Sequence, residues 1–296
     1  MRFTEPQMRP PQEARSLLPR ATQGCTYNKC NFCYVSRGYN FLAVTPEELE
    51  AEIEPLKRFY PPDTKIYMTG SNPFALPVSR LREYIAVLRK HYPEFRELSM
   101  QTRIDDITRK TDSELVELRR LGLGHLYIGV ENGNDAALDL MNKGYHAQDA
   151  IGQLRRLGNA GMEYTCFYLL GMGGKGQGVA SATATAAMFN PVRPRRITTT
   201  GLTVFQDTPL EEMEQGGRFV QPSEKEKIEE LKTFLEQLEI DTFYDGIHYL
   251  NPLNYRLRTG DARAKAAAIA DMNAILEEYS EAELERMVGR EQMKSL

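Results

Sequence analysis

The chain of 296 residues has only four cysteines and four histidines, and it has no large excess of charge of either sign. No apolar run approaches the roughly 18 residues a membrane-crossing helix needs, so none is expected. The first residues, MRFTEPQMRPPQEAR, lack the apolar core of a signal peptide. The expected location is therefore the cytoplasm, where thiols stay reduced and clustered cysteines suggest a metal rather than a disulfide. With a net charge of −4 and acids and bases intermixed, the chain carries no electrostatic footprint for long nucleic acid. Arg193, Arg195 and Arg196 form a small basic group, read either as a helix-to-strand surface turn or as a phosphate site. Internal repeats and low-complexity segments are absent. What remains is ordinary globular composition, 41% hydrophobic and 26% charged.

Strands and helices alternate through the first two-thirds. Expected strands are Leu17–Thr22, Lys65–Thr69, Glu97–Gln101, His125–Val130, Tyr164–Leu170 and Arg196–Val204. Thr45 caps a helix with Pro46 at its first position, running to about Arg58. Further helices are expected over Ser79–His91, Asp112–Leu121, Asp135–Met141, His146–Ala160 and Ala180–Phe189. Six strand–helix steps with right-handed connections build a parallel sheet. The expected class is α/β, a partial (β/α)6 TIM-like barrel over residues 1–210. Glycines follow the strand ends at Gly24, Gly70, Gly133 and Gly171, where such barrels place their chemistry. After Pro209 two polar helices, Ser223–Leu238 and Ala262–Tyr279, flank an aromatic, non-helical stretch, Phe243–Tyr255. Residues 211–296 are thus expected to be a mainly helical extension contributing to the active-site wall.

Three of the four cysteines, Cys25, Cys30 and Cys33, lie in one loop just after the first strand, spaced CxxxxCxxC. Three thiolates so close can converge on one centre, and as soft ligands they suit iron–sulfur clusters and zinc. Structural zinc is normally closed by four ligands. Cys166, the fourth cysteine, sits far off in an apolar strand and reads as a buried small hydrophobe or as a ligand or radical relay. A [4Fe–4S] cluster on three cysteines leaves one iron open.

In this loop the chain resembles the radical S-adenosylmethionine (SAM) superfamily, whose usual motif is CxxxCxxC with an aromatic residue before the last cysteine. Phe32 takes that aromatic place, and the first spacing is one residue longer than usual. The resemblance spans about residues 15 to 210. It implies a [4Fe–4S] cluster whose open iron chelates SAM, and an external one-electron donor of flavodoxin or ferredoxin type. The turn Gly70-Ser71-Asn72-Pro73 matches the outline of the superfamily's glycine-rich turn for the SAM ammonium, and is also an ordinary strand-to-loop turn. Gln101 and Arg103 lie two apart, on one face of the next strand. Arg103 is read as gripping a carboxylate, or as paired with Asp105 or Asp106 at the rim. The Ile-Gly-Val-Glu…Met-Asn-Lys-Gly pairing is similar to the branch containing anaerobic coproporphyrinogen oxidase. By that resemblance Glu131 touches the ribose and Lys143 faces the SAM carboxylate; the other reading makes Lys143 an exposed lysine. The strand ending in Gly171 matches the one that supports the adenine.

The resemblance implies homolysis of SAM to a 5′-deoxyadenosyl radical that acts on a small polar metabolite. Two other readings stay open: transfer of the 3-amino-3-carboxypropyl group, and a non-catalytic electron-transfer or zinc-binding protein. In the aromatic tail His248 is a candidate acid or base, or part of a packed loop. Thr198, Thr200 and Thr203 are candidate substrate hydroxyls or simply good strand formers.

Overall fold

The computed structural model describes residues 3–290. It shows β1 (Thr22–Gln23), β2 (Leu42–Ala43), α1 (Pro46–Ile53), β3 (Lys65–Met68), α2 (Val78–His91), β4 (Glu97–Thr102), α3 (Ile104–Thr108), α4 (Asp112–Leu121) and β5 (Leu123–Glu131). Then follow α5 (Asp135–Leu140), α6 (Ala147–Asn159), β6 (Glu163–Leu170), α7 (Gly178–Phe189), β7 (Arg196–Gly201), α8 (Pro209–Gln215), α9 (Glu224–Gln237), β8 (Phe243–Asp245), β9 (Arg256–Arg258), α10 (Ala262–Glu278) and α11 (Glu281–Val288). Local chemistry sets many boundaries. Thr45 and Glu48 exchange side-chain and backbone bonds in a capping box, with Pro46 inside it. The helix expected to reach Arg58 ends at Ile53, and residues 54–58 tighten into a 3-10 turn around Pro55.

The chain forms two compact units. The first comprises the chain up to Asn28, Val35–Gly129 and Arg156–Tyr164; the second comprises Lys29–Tyr34, Val130–Arg155 and the chain from Thr165 on. The main sheet has seven strands in the order β3 to β9, mostly parallel. The expected strand at Leu17–Thr22 is a ladder beside β3: Leu17 N–H donates to Lys65 O (2.9 Å), Thr69 N–H to Pro19 O (2.8 Å) and Ala21 N–H to Thr69 O (3.1 Å). Pro19, with no N–H to give, interrupts it. Hence α/β architecture with helix crossovers holds as expected.

Beyond residue 210 the sheet continues. β8 pairs parallel with β7, α9 is the crossover between them, and β9 closes the edge antiparallel. The stretch expected to be non-helical therefore opens with one strand, β8, and a second, β9, follows directly after it. Each is three residues long, too short for an alternating pattern to show.

Candidate functional site

In the first unit the turn after β3 is built by close approach. Gly70 has φ +130°, and a Cβ there would lie 2.1 Å from Thr22 Oγ1 and 2.7 Å from Thr22 O. Only glycine lets these two segments meet. Ser71 donates to Glu5 Oε1 (2.6 Å). Asn72, fully buried, spends its amide on the cysteine loop: Nδ2 donates to Thr26 Oγ1 (2.8 Å) and Asp106 Oδ2 (2.9 Å), while Oδ1 accepts from Thr26 N–H (3.3 Å). Burial pushes the Asp106 carboxyl upward, opposed by the Asn72 hydrogen bond. Gln101 is half-buried on β4, opposite Tyr127. Arg103 is buried beyond it, its Nε donating to Asp105 Oδ1 (2.8 Å) and its guanidinium 4.0 Å from the Tyr27 ring centroid. Here the rim pairing is what the fold contains.

The second unit holds the tip of the cysteine loop. Asn31 N–H donates to Met141 O (3.0 Å), its Nδ2 to Leu140 O (2.8 Å), and Asn142 Nδ2 to Lys29 O (3.0 Å). Leu210 N–H donates to Asn31 O at 3.0 Å. These bonds bring Phe32 beside the second expected group. Lys143 Nζ lies 5.6 Å from the Phe32 ring centroid and 5.5 Å from that of Tyr145, and it donates to Glu131 Oε1 at 3.2 Å. Lys143 is buried, which removes the exposed-lysine reading. Three residues chosen from separate motifs thus share one cluster.

At the end of β6, Gly171 N–H donates to Glu230 Oε2 (2.8 Å) and Tyr168 OH to Glu230 Oε1 (2.7 Å). Burial pushes the Glu230 carboxyl up to about 8, against the pull of those bonds and of Lys227. Cys166 is fully buried and its thiol is pushed well above the usual range by burial, then by Glu131, consistent with a small core hydrophobe. His248 is half-buried, accepts Leu250 N–H on Nδ1 (3.2 Å) and stacks on Tyr249. Sequence reasoning passed over Glu5, Glu230 and Glu13, and it saw Asp106 only as a possible partner of Arg103. Glu13, buried, accepts from Ser99 Oγ (2.9 Å) and Tyr127 OH (2.7 Å). A lone acid in a polar segment carries no periodic signal.

Cys30 is buried, while Cys25 and Cys33 are half-buried. Cys33 N–H donates to Cys30 O at 3.3 Å, so the CxxC pair shares one tight turn. Among the described residues no three His, Cys, Asp or Glu side chains are gathered to hold a single metal ion. A cube asks for a different arrangement, with each thiolate on its own iron. The donors are soft thiolates, and a closed zinc site requires a fourth ligand that the loop does not supply. The donor set fits an iron–sulfur cluster.

No helix among the described residues is long and apolar enough to cross a membrane. Comparison with curated proteins returned no match. Among solved structures, the cobalamin-dependent SAM radical enzyme OxsB, with aqua-cobalamin and SAM bound, aligns over 88% of this chain and 46% of its own at 13% identity and TM-score 0.59. Coproporphyrinogen III oxidase (HemN) from Escherichia coli aligns over 85% and 57% at 16% identity and TM-score 0.56. The radical SAM methyltransferase TsrM from Kitasatospora setae, with cobalamin and a [4Fe–4S] cluster bound, aligns over 68% and 37% at 17% identity and TM-score 0.53. At these identities the likeness is one of fold, and the chain spans well under two-thirds of each. A family model described as the Radical SAM superfamily matches residues 20–182, more than half of the chain and all of the cysteine loop. The chain belongs to the radical SAM superfamily, whose enzymes use a [4Fe–4S] cluster and S-adenosylmethionine.

Proposed function

We propose that Cys25, Cys30 and Cys33 hold a [4Fe–4S] cluster and that the protein is a radical SAM enzyme acting on a small polar metabolite. When bound, the cluster and SAM supply reductive cleavage of a C–S bond, giving a 5′-deoxyadenosyl radical, with the electron drawn from a flavodoxin- or ferredoxin-like donor. The observation that carries this reading is the family match across residues 20–182, which encloses the three cysteines, Glu131 and Lys143.

The chain's own residues bind, orient and exclude water. In the second unit Lys143 is ion-paired with Glu131 beneath Phe32. In this proposal it exchanges that carboxylate for the SAM carboxylate, leaving Glu131 to accept from the ribose hydroxyls. Gly171 supports the adenine, its backbone held by Glu230. In the first unit the Gly70–Asn72 turn offers backbone carbonyls to the SAM ammonium. The side chains of Ser71 and Asn72 are engaged elsewhere, so their part in SAM binding is through the main chain. Gln101 and Arg103 stand at the end of β4, and Arg103 must leave Asp105 to reach an anion. In this proposal His248 acts as an acid, donating from Nε2, because its Nδ1 accepts the Leu250 N–H. Residues 211–296, of which 291–296 lie outside the described residues, contribute to the wall of the site.

The test is anaerobic reconstitution, EPR with and without SAM, and product analysis with SAM and a reductant. The expected products are methionine and 5′-deoxyadenosine. Methylthioadenosine would instead assign the aminocarboxypropyl route, the alternative kept open by the CxxxxCxxC spacing. Zinc without sulfide, or a cluster spectrum that SAM does not move, would sink the proposal.

A further inference from the structure

One buried side chain holds both ends of the cysteine loop. Glu5 is 3% exposed. Its Oε2 accepts the N–H of Gly24, the residue before Cys25, at 2.8 Å. Its Oε1 accepts from Ser36 Oγ, three residues after Cys33, at 3.0 Å, and from Ser71 Oγ at 2.6 Å. Arg20 balances the charge: its guanidinium lies 3.8 Å from Oε2 and also donates to Glu5 O. The segment carrying Glu5 is itself fixed, because Gln23 Oε1 accepts the N–H groups of Thr4 (2.8 Å) and Glu5 (3.3 Å). Gly24 is confined as well. Its φ is +71°, and a Cβ would lie 2.6 Å from Asn40 O. All these groups belong to the first unit.

A buried carboxylate is costly to desolvate, and here each oxygen is used on a donor. Those donors come from the start of the loop, the end of the loop and the turn after β3. Filling this space does not require a charged side chain; an apolar one would fill it without the desolvation cost. We infer that Glu5 is a positioning residue for the cluster, pinning Gly24 to Ser36 so that the three-cysteine loop is closed before iron and sulfide enter. Pinned ends reduce the conformational freedom lost when the thiolates are ordered. Outer partners of metal ligands act in this way. The Asn72–Thr26 clamp acts on the same arm of the loop, one residue after Cys25, with Asp106 orienting the amide.

The inference rests on the cluster assignment to Cys25, Cys30 and Cys33, and its test separates the two. Full-length wild type, Glu5→Gln, Glu5→Ala and Ser36→Ala are reconstituted anaerobically. Iron and acid-labile sulfide per chain are measured, then the rate at which a chelator bleaches the cluster absorbance. The apo proteins are melted alongside. Glu5→Gln and Glu5→Ala should load less iron and bleach about 10-fold faster, the scale found for outer partners of metal ligands. Ser36→Ala should move the same way by less. It removes one donor and leaves the carboxylate paired with Arg20, so it decides the matter even where Glu5→Ala does not fold. Wild-type loading and bleaching in the folded variants would overturn the inference alone. A wild-type chain that takes up no iron and sulfide would overturn the cluster assignment, and this inference with it.

Discussion

Lys143 and Glu131 form a buried ion pair, Nζ to Oε1 3.2 Å, with side chains 3% and 15% exposed. The carboxylate partner sits on a strained backbone, since Glu131 has φ +66° at the last position of β5. A non-glycine residue persists in that region only where its surroundings hold it, and such strain gathers at binding sites. Both residues of the pair lie within the segment that the family model matches.

Removing one partner should be worse than removing both. Lys143→Met leaves Glu131 without its cation in a mostly buried site and should cost about 3 kcal/mol of folding free energy. The double variant Lys143→Met/Glu131→Gln should recover a large part of that loss. Urea unfolding of the apo proteins measures both, and a double-mutant cycle showing no coupling would contradict the pair. SAM affinity should fall in Lys143→Met, in Glu131→Gln, which completes the cycle, and in the double variant.

Gly70→Ala places a methyl group into Thr22 at a φ of +130°. Backbone strain and overpacking together should destabilise the protein by about 2 kcal/mol or more. Thermal melting against Gly152→Ala provides the comparison, because a Cβ at Gly152, in α6, meets nothing within 4 Å. That control should be neutral or slightly stabilising.

Glu230 makes stability depend on pH in a set direction. Its folded value is pushed from 4.5 up to about 8 by burial. Between those values the unfolded chain has released the proton and the folded chain has kept it, so the stabilisation is complete below about 4.5 and is lost as pH rises through about 8. The slope from this group is at most about 1.4 kcal/mol per pH unit. Glu230→Gln cannot lose a proton, so its stability relative to wild type should improve from pH 5 to pH 8. Urea midpoints at several pH values check the sign; a parallel pair of curves would contradict it.

His248 should titrate below the ordinary histidine value of 6.5, because burial lowers it. Its Nδ1 accepts the Leu250 N–H, so the neutral ring should carry its proton on Nε2. Nitrogen-15 shifts of labelled histidine at pH 7 report the tautomer directly. A ring protonated on Nδ1 would remove His248 as a donor at that site.

Which side chains were legible depended on how local their signal was. The cysteine loop, Phe32, Glu131 and Lys143 could be singled out because their motifs are short. Those last three meet through Asn31, which bonds to the chain at Leu140 and Met141; nothing about Asn31 in the sequence marks it. Asn72 was visible as part of a glycine-containing turn, but its partners Thr26 and Asp106 lie 46 and 34 residues away. Arg103 had two readings in the sequence, and its contact with Asp105 is seen only in the fold. β8 and β9 were missed because three residues do not make a period.

By itself, the sequence determined the alternation of strands and helices, the parallel sheet it builds, and the three thiolates in one loop. Each of these follows from spacing within a few residues, where helix, strand and ligand geometry act. Tertiary structure alone decided that Glu5 ties Gly24 to Ser36 and that Lys143 turns inward to Glu131. Both depend on burial, and burial is a property of how distant segments meet. A charged side chain is stable there only because the fold brings its partners to it.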